Sequence, residues 1–433
     1  MRAGPAGWPD PYPVQPIPLP LNASVRVPGS KSLTNRALLV AALAAGPTTL
    51  TNALASDDAR RFSESLQRLG FAVVERPGAL SVTGLGGRIP AERAELFVGN
   101  AGTAARFLTA LLTLGHGEYV LDGDARMRER PIADLLDALR QLGVAADSAT
   151  GCPPVRVRAA GLPGGRAAVA GDISSQFLSG LLMVAPYAQG PLELAVAGEL
   201  NSKPYVDMTL AVMADFGVTV ERAGYARFRT VPQRYTARAE YAIESDASAA
   251  SYFFAAPAVC GGRVRVEHIT RQSRQGDVAF LDVLAAMGCA VEVGPDWIAV
   301  TVDGRRPLQG VDVDLRDIPD TAQTLAAIAP FAATPTTIRG IASARVKETD
   351  RVAALCAELT RLGVAVAEHP DGLTIQPCAA IQPAVVRTYH DHRMAMALSL
   401  IGLRAPGVQI EDPGCVSKTF PEFFSVLETL RPA

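Results

Sequence analysis

The feature that most constrains the fold of this chain is an internal repeat with a period of 71 to 75 residues. A three-residue motif, apolar–Gly–apolar, ends a predicted helix at Gly70, Gly143, Gly217, Gly288 and Gly363. Successive glycines are 73, 74, 71 and 75 residues apart. Glycine commonly ends a helix, and the alternating residues that follow, as in 297–302, are typical of a strand. Such a fixed period indicates that one supersecondary unit is used several times.

A second class of helix recurs with the same period. These helices start near Ser32, Thr103, Ser174, Ala247, Thr321 and His392, at spacings of 71, 71, 73, 74 and 71 residues. Because they are rich in Ala and Leu and apolar almost all round, we expect them to be buried. Each unit is therefore predicted to contain strand, buried helix, strand, amphipathic helix, strand and strand. Six such units account for nearly all of the 433 residues.

The two ends of the chain indicate how the six units are shared between domains. The sixth unit stops at its second helix, near 421–430, and the strand-like segment 12–27 has no helix before it. The N-terminal segment is predicted to supply the strands that the sixth unit lacks, which places both ends in one domain. We therefore expect an α/β (α+β) fold of two similar lobes, each with three βαβαββ repeats, and a substrate cleft between the lobes. One lobe spans 29–244 and the other 1–28 with 245–433. A solenoid of six stacked units is the alternative.

Composition excludes several classes of protein. A formal charge of −2 argues against a general nucleic-acid binder. No apolar run is long enough to cross a bilayer, and the N-terminus lacks a basic-then-apolar signal segment. The six cysteines are scattered without a Cys-x-x-Cys pair, so neither a zinc site nor a disulfide framework is predicted. A cytoplasmic protein is expected.

Lysine is rare in this chain. Of 41 Lys and Arg residues, the only lysines are Lys31, Lys203, Lys347 and Lys418. A GC-rich genome explains a general excess of arginine codons. Because an ammonium group is compact and mobile whereas a guanidinium group is planar, lysine should be retained mainly where the chemistry requires it. All four lie in polar segments at the start of a predicted helix, where N–H groups and the helix dipole favour anions. We expect them to mark anion-binding positions.

Three polar segments in the first half of the chain are candidates for anion binding. Residues 28–36 contain Lys31, hydroxyls and Arg36, but lack the glycine that a nucleotide-binding P-loop needs; an ordinary capped helix start is the alternative. Residues 99–103 are small enough for a ligand to approach the backbone closely, although a plain turn explains them equally well. Residues 126–131 include three arginines, which form either an anion clamp or a solvated charge run.

Further candidates follow along the chain. Residues 174–176 and 202–205 supply neutral donors that suit a polyhydroxylated substrate, although they also suit helix caps. Asp320 precedes a buried helix and is open to the same two interpretations. In residues 345–351, Lys347 and Arg351 share a helix face beside Glu348, so they could bind a phosphate and move a proton; surface salt bridges are the alternative.

The last candidates lie near the C-terminus. Residues 389–394 place two histidines beside an arginine, but no third metal ligand is in register, so a metal is not predicted. Lys418 starts the final helix. The chain has no Gly-x-Ser-x-Gly elbow, no Rossmann glycine fingerprint and no metal-binding His pair on a helix. The inventory of Lys, Arg, Ser and carboxylate groups favours group transfer between two anions, with no metal and no cofactor.

Taken in order, the motifs are similar to those of one known family. They are Pro-Gly-Ser-Lys-Ser…Asn-Arg at 28–36, Gly-Asn-Ala-Gly-Thr at 99–103, Arg-Glu-Arg-Pro-Ile at 128–132, Ser-Ser-Gln-Phe at 174–177, Ser-Lys-Pro-Tyr at 202–205, Arg-Val-Lys-Glu-Thr-Asp-Arg at 345–351, Asp-His-Arg-Met at 391–394 and Lys-Thr-Phe-Pro at 418–421. Over about residues 24–425 the sequence resembles the 5-enolpyruvylshikimate 3-phosphate synthase family. The resemblance implies two lobes of three βαβαββ units. It also implies transfer of the enolpyruvyl group of phosphoenolpyruvate to the 5-hydroxyl of shikimate 3-phosphate, with release of phosphate.

The resemblance also implies roles for individual residues. The residues implied for shikimate 3-phosphate are Lys31, Ser32, Arg36, Ser174, Ser175, Gln176, Ser202, Tyr205, Asp320, Ser343 and Lys347. Those implied for phosphoenolpyruvate are Lys31, Gly102, Arg130, Gln176, Arg351, Arg393 and Lys418. As catalytic groups, Asp320 would take the proton from the attacking hydroxyl, and Glu348 or Lys31 would protonate the methylene carbon. The expected protein is a cytoplasmic monomer that needs no metal, cofactor, nucleic acid or membrane.

Two positions depart from the family pattern. Ser343 stands where many members have Asn, and Phe107 follows Arg106 where many have Pro. The second departure leaves open the response to glyphosate, the family's inhibitor at the phosphoenolpyruvate site. The related transferase that acts on UDP-N-acetylglucosamine is the alternative enzyme, but it carries a Cys in the loop that matches 123–131, and this loop has none. A non-catalytic repeat scaffold is the alternative of a different class.

Overall fold

The computed structural model describes residues 2–3, 7–17, 20–304 and 307–431. The chain divides into two compact units. Unit I comprises residues 29–243, and unit II comprises residues 1–28 and 244–433.

The helices and strands follow one another in the order of the repeats. The α-helices of the described residues are α1 (Lys31–Leu43), α2 (Asp57–Arg68), α3 (Gly102–Leu112), α4 (Ala133–Gln141), α5 (Ser175–Val184), α6 (Lys203–Asp215), α7 (Ala247–Cys260), α8 (Phe280–Ala286), α9 (Ala322–Ile328), α10 (Arg351–Arg361), α11 (His392–Gly402) and α12 (Phe423–Glu428). The strands are β1 (Arg2–Ala3), β2 (Pro9–Asp10), β3 (Tyr12–Pro13), β4 (Leu21–Val25), β5 (Ala45–Thr51), β6 (Ala72–Arg76), β7 (Ala79–Leu85), β8 (Arg93–Phe97), β9 (His116–Asp122), β10 (Ala145–Asp147), β11 (Val155–Ala160), β12 (Gly165–Ala170), β13 (Leu192–Ala197), β14 (Glu221–Ala223), β15 (Arg227–Thr230), β16 (Glu240–Ala242), β17 (Gly262–Glu267), β18 (Ala290–Val293), β19 (Trp297–Val302), β20 (Asp312–Asp314), β21 (Thr336–Arg339), β22 (Val366–His369), β23 (Gly372–Ile375), β24 (Ala384–Val386) and β25 (Val408–Ile410).

Unit I contains three four-stranded sheets, in the orders β16-β5-β7-β6, β10-β11-β9-β8 and β12-β13-β15-β14. The second sheet shows the repeat most directly. Strands β8 and β9 are parallel and flank α3 in the chain, and β10 and β11 follow α4 as an antiparallel pair. A parallel pair requires a crossover connection, which the buried helix provides. The predicted βαβαββ unit and the α/β fold are confirmed.

Unit II contains sheets of order β18-β19-β17-β4, β20-β21-β23-β22 and β24-β25-β3. The two N-terminal strands β3 and β4 join different sheets. Strand β3 pairs antiparallel with β25, in the sixth repeat. Strand β4 instead runs parallel to β17, in the fourth repeat. The reason is that β16, which precedes α7 in the chain, pairs with β5 in unit I, so β4 occupies the parallel position beside β17. Residues 18 and 19, within the predicted strand segment 12–27, lie outside the described residues.

Each unit has a hydrophobic core of its own, built around the predicted Ala- and Leu-rich helices. In unit I, residues 33–43 of α1 are all buried, as is the whole of α3. In unit II, residues 247–259 of α7 and the whole of α9 and α11 are buried. Two cores, each shared by several sheets, differ from the nearest-neighbour stacking of a solenoid. In the described part of the chain, no helix combines the length and apolar character needed to cross a membrane.

Candidate active site

In unit II, the carboxylate of Asp320 contacts three cations. Asp320 lies in the 3-10 turn Pro319–Thr321, before α9. Its Oδ1 accepts hydrogen bonds from Lys347 Nζ at 2.5 Å and Arg351 Nη1 at 3.1 Å. Its Oδ2 accepts one from Arg393 Nη2 at 2.7 Å. Lys347 and Arg351 come from the polar segment 345–351, of which only Arg351 lies in α10, so the predicted shared helix face is wrong; Arg393 comes from the start of α11. The structure therefore brings together residues from three polar segments that the sequence analysis considered one at a time.

Arg351, the first residue of α10, is 1% exposed and lies at the centre of this cluster. Its Nε and Nη2 donate to the two carboxylate oxygens of Asp391 at 2.7 and 3.2 Å, and Nη2 also donates to Glu348 Oε2 at 2.9 Å. Burial by itself would lower the pKa of Arg351. The carboxylates of Asp391, Glu348 and Asp320 outweigh burial and raise that pKa, so the guanidinium remains charged.

Glu348 links Lys418 to the same cluster. Lys418 ends the 3-10 helix Pro413–Lys418, and its Nζ lies 3.8 Å from Glu348 Oε1. Both residues are buried. Glu348 thus lies between two cations, Arg351 and Lys418. An anion that displaces one of these carboxylate contacts would meet cations that are already in place.

The pKa of Lys347 is lowered, chiefly by burial. The neighbouring Asp320 carboxylate opposes this change, and the charges of Arg351 and Arg393 reinforce it. A largely buried lysine with a lowered pKa gives up a proton more readily than a surface lysine. The site therefore holds a cation whose charge is sensitive to a change at Asp320.

Three buried groups of this site were missed by the sequence analysis. Asp391 was quoted only as part of a motif; it caps α11 through a 2.9 Å hydrogen bond from Arg393 N and also orients Arg351. Tyr252, on α7, accepts a 3.5 Å contact from Arg393 Nη1, and burial raises its pKa to about 12. Burial also raises the pKa of Asp277 to about 6; the charge of Asp320 adds to this rise, whereas the hydrogen bond from Ser248 opposes it. The hydroxyl of Tyr252 inside an apolar segment was an available signal, whereas Asp391 and Asp277 lie in polar segments that gave none.

In unit I, Lys31 begins α1. Its Nζ lies 3.7 Å from Asp58 Oδ2, in the first turn of α2, and both side chains are largely buried. Ser30 caps α1 by accepting a hydrogen bond from Leu33 N. Gly29 is required here, because a Cβ at that position would lie 1.7 Å from the carbonyl oxygen of Asn52. The polar segment at 28–36 is therefore fixed in place up to the start of the helix.

Arg36 is buried beneath the start of α1. Its Nε donates to Thr209 Oγ1 at 2.7 Å, and its other nitrogens donate to the carbonyl oxygens of Ser32 and Tyr205 at 3.0 and 3.1 Å. The guanidinium lies 5.2 Å from the centre of the Phe107 ring. Burial lowers the pKa of Arg36 to about 10. Arg36 thus joins α1 to α6 below Ser32 and Tyr205, and its role as a direct substrate ligand stays a prediction.

The three arginines of residues 126–131 have different surroundings. Arg126 and Arg128 form surface ion pairs with Glu129 and Asp122, as the solvated-charge interpretation predicts. Arg130 is 5% exposed, and its Nη1 donates to the carbonyl and side-chain oxygens of Asn100 at 3.0 and 2.8 Å. A Cβ at Gly102 would lie 2.5 Å from Arg130 Nη2. Gly102 therefore leaves room for a buried guanidinium at the start of α3.

The neutral donors lie at two further helix starts in unit I. Ser174 caps α5 by accepting a hydrogen bond from Gln176 N at 3.3 Å, and Ser175 is buried. Ser202, before α6, has the left-handed backbone angles φ 57° and ψ 44°. Such a conformation is uncommon for a residue other than glycine and is often associated with function. Gln176 and Tyr205 are partly exposed, and in unit II so is Ser343, in the turn Ala342–Val346.

Comparison with known proteins gives a consistent result. Residues 16–427 match the family model of EPSP synthase (3-phosphoshikimate 1-carboxyvinyltransferase). A 3-phosphoshikimate 1-carboxyvinyltransferase from Nostoc punctiforme is 52% identical over 411 residues, which cover 94% of this chain and 96% of the relative. One from Shewanella baltica is 50% identical, with 95% and 97% covered. The solved structure of EPSP synthase from Acinetobacter baumannii matches with a TM-score of 0.79 and 25% identity, covering 97% of this chain and 98% of that one.

The repeat fold, the buried cations around carboxylates and these relatives together define a transferase. Within that class, the chain belongs to the EPSP synthase family. The departure at Phe107 acquires a structural meaning within the family, because this ring lies against the guanidinium of Arg36.

Proposed function

We propose that this chain transfers the enolpyruvyl group of phosphoenolpyruvate to the 5-hydroxyl of shikimate 3-phosphate and releases phosphate, a step of the shikimate pathway to aromatic amino acids. Family membership supports the reaction. The single observation that carries the mechanism is the Asp320 carboxylate, which contacts Lys347, Arg351 and Arg393 at 2.5 to 3.1 Å. The carboxylate can accept the proton of the attacking hydroxyl, and the cations around it can bind the anionic substrate.

The reaction proceeds by addition and then elimination. The 5-hydroxyl oxygen attacks C2 of phosphoenolpyruvate while Asp320 takes the hydroxyl proton, and Glu348 or Lys31 delivers a proton to the C3 methylene. The resulting tetrahedral adduct carries a carboxylate and a phosphate, so fixed cations stabilise it. Loss of a proton from the new methyl group then expels phosphate and leaves the enolpyruvyl ether.

In unit I, the proposed shikimate 3-phosphate ligands are Lys31, Ser32, Arg36, Ser174, Ser175, Gln176, Ser202 and Tyr205. The proposed phosphoenolpyruvate ligands there are Lys31, Gly102, Arg130 and Gln176. Their positions support this assignment. All of them except Arg36 lie at or near the start of a helix, where N–H groups and the helix dipole favour anions. Arg36 supports Ser32 and Tyr205 from below through their carbonyl oxygens.

In unit II, we assign Asp320, Ser343 and Lys347 to shikimate 3-phosphate, and Arg351, Arg393 and Lys418 to phosphoenolpyruvate. The support is the hydrogen-bonded cluster, in which two of the three phosphoenolpyruvate ligands touch the proposed base. The two units are taken to be the two lobes predicted from the sequence. Monomeric state and cytoplasmic location belong to the same proposal. The six free thiols suit a reducing compartment.

The test is phosphate release by wild-type protein and by Asp320→Asn. We expect release that requires shikimate 3-phosphate, and a kcat about 10² to 10⁴ times lower in the variant, because the amide accepts no proton. The matched control is Asp314→Asn, which alters an exposed carboxylate of unit II that pairs with Arg316. The assignment of Asp320 is wrong if Asp320→Asn turns over within about threefold of the control.

A further inference from the structure

The carboxylate of Glu358 is fully buried in the middle of α10, outside the cluster described above. It accepts three hydrogen bonds. Oε2 accepts from the backbone N–H of Arg387 at 2.9 Å and from Arg361 Nε at 2.9 Å, and Oε1 accepts from the Tyr389 hydroxyl at 2.7 Å. A buried carboxylate is costly unless such donors compensate for lost water, so this arrangement constrains all three partners.

Two of these partners, Arg387 and Tyr389, belong to a strained turn formed by residues 387–390. Tyr389 and His390 both have a left-handed backbone, with φ of 56°. Each such residue other than glycine costs about 1–2 kcal/mol, so two in succession persist only where surrounding contacts hold them. Besides Glu358, the contacts are a 2.7 Å bond between His390 Nδ1 and Asp412 Oδ2 and a 2.9 Å bond from Asp391 N to the carbonyl oxygen of Thr388.

The turn leads directly into the proposed site. Asp391 follows it, caps α11 and binds Arg351; Arg393, one residue into α11, binds Asp320. Arg351 and Glu358 are seven residues apart on α10, which places them on the same helix face two turns apart. Helix α10 therefore contacts the turn through Glu358, at residues 387 and 389, and contacts the residue that follows the turn, Asp391, through Arg351.

We propose that Glu358 is a positioning residue for phosphoenolpyruvate binding. It fixes the 387–390 turn against α10, so that Asp391 orients Arg351 and α11 presents Arg393 in register with Asp320. Among the described residues, the hydrogen bonds of Glu358 go to Arg361, Arg387 and Tyr389 and to none of the proposed substrate ligands, so it acts through the turn. The inference rests on the proposed function only for the identity of the anion that Arg351 and Arg393 bind.

The variant Glu358→Gln keeps the shape of the side chain and removes its charge. Its NH2 group can donate only to the Tyr389 hydroxyl, which must then accept instead of donating, and loss of the charge weakens the hydrogen bonds from Arg361 and from the backbone of Arg387. We expect the KM for phosphoenolpyruvate to rise by about 10- to 100-fold, since small displacements of positioning groups have effects of this size. The KM for shikimate 3-phosphate should change less than about twofold. Backbone amides 387–391 should exchange hydrogen faster, as measured by mass spectrometry.

Glu428→Gln is the matched control. Glu428, on α12, likewise accepts from a tyrosine hydroxyl, that of Tyr12 at 2.7 Å, and pairs with an arginine, Arg431. It has no hydrogen bond to the 387–390 turn among those of the described residues. We expect normal kinetics in this control. Tyr389→Phe should raise the KM for phosphoenolpyruvate by less than Glu358→Gln does. The KM of the double variant should lie within about twofold of that of Glu358→Gln alone.

The outcomes separate the two proposals. A Glu358→Gln protein that loses thermal stability, yet keeps the wild-type KM for phosphoenolpyruvate and wild-type exchange at 387–391, would overturn the positioning role. Faster exchange at 387–391 without a kinetic change would also overturn it, because the turn would then not matter for binding. If wild-type protein makes no product from the two substrates, the proposed function fails, and the amide exchange together with calorimetric binding of phosphoenolpyruvate still decides the role of Glu358.

Discussion

At the scale of the residue, the four lysines separate into two kinds. Lys347 is paired with the partly exposed carboxylate of Asp320 and Lys418 with the buried carboxylate of Glu348, and Lys31 lies 3.7 Å from Asp58. Lys203 instead pairs at 3.3 Å with Glu199, whose side chain is 60% exposed. An ammonium group fits a small buried space beside a carboxylate, whereas a surface pair tolerates either cation. Three lysines therefore occupy positions where lysine differs from arginine, and the fourth forms a surface ion pair.

This division gives a direct test in Lys418→Arg, with Lys203→Arg as its control. Because Lys418 is 8% exposed, a larger planar guanidinium must displace its neighbours or leave Glu348 misaligned. We expect kcat/KM for phosphoenolpyruvate to fall at least about tenfold in Lys418→Arg. Lys203→Arg should remain within about twofold of wild type. Equal activity of the two variants in a phosphate-release assay would show that only charge matters at residue 418.

The residues of the site differ in how far they could be predicted from sequence. Lys347, Glu348 and Arg351 were found because their charges stand out in a short segment. Asp391 and Glu358 could not be assigned, because each acts on a group far away in the chain: Asp391 binds Arg351 across 40 residues, and Glu358 binds Tyr389 across 31. The sequence around a buried carboxylate does not indicate which distant residue the carboxylate binds.

At the scale of the element, α10 connects the proposed base to the strained turn, and its start is fixed by Asp350. The Asp350 side chain accepts from Ala353 N at 3.0 Å and pairs with Arg345 at 2.9 Å. Arg351 is the first residue of α10. Fraying of the first turn of this helix would therefore move the guanidinium that binds Asp320, Glu348 and Asp391. The cap is therefore expected to affect both stability and binding.

Asp350→Ala tests this expectation against Ser56→Ala, which removes the corresponding cap from α2, where the side chain accepts from Ala59 N. Each change should lower the free energy of unfolding by about 1 kcal/mol, or the thermal midpoint by about 2–4 °C. Only Asp350→Ala should also raise the KM for phosphoenolpyruvate, by about threefold or more. Differential scanning calorimetry and steady-state kinetics supply the two readouts. A similar KM in both variants would argue that the start of α10 is fixed without its cap.

The starts of the buried helices were predictable to within one residue. The periodic positions Ser32, Thr103, Ser174 and Thr321 lie beside the observed starts Lys31, Gly102, Ser175 and Ala322, and 247 and 392 coincide with them. A helix that is apolar all round leaves a strong local pattern. Strand pairing leaves no such pattern, since which strand joins which sheet depends on distant segments. The partnership of β4 with β17 was missed for that reason.

At the scale of the whole molecule, unit I repeats the βαβαββ element three times, and unit II repeats it twice and adds a sixth repeat whose sheet has three strands among the described residues. In unit I, β16 at the end of the segment completes the first sheet, and in unit II, β4 near the N-terminus completes the fourth. Each unit therefore closes its own set of sheets with a strand from outside the regular repeat order. The period predicted the number of repeats. Only the fold shows that β16 pairs with β5 in the first sheet and that β4 pairs with β17 in the fourth.

The central property proposed for this chain is that it joins its two proposed substrates. The direct measurement is NMR of the wild-type protein with ¹³C-labelled phosphoenolpyruvate, recorded with shikimate 3-phosphate, with UDP-N-acetylglucosamine and with neither. We expect a new labelled enolpyruvyl ether on the 5-hydroxyl, together with one equivalent of phosphate, only when shikimate 3-phosphate is present. An ether formed on UDP-N-acetylglucosamine, or phosphate released equally without an acceptor, would contradict it.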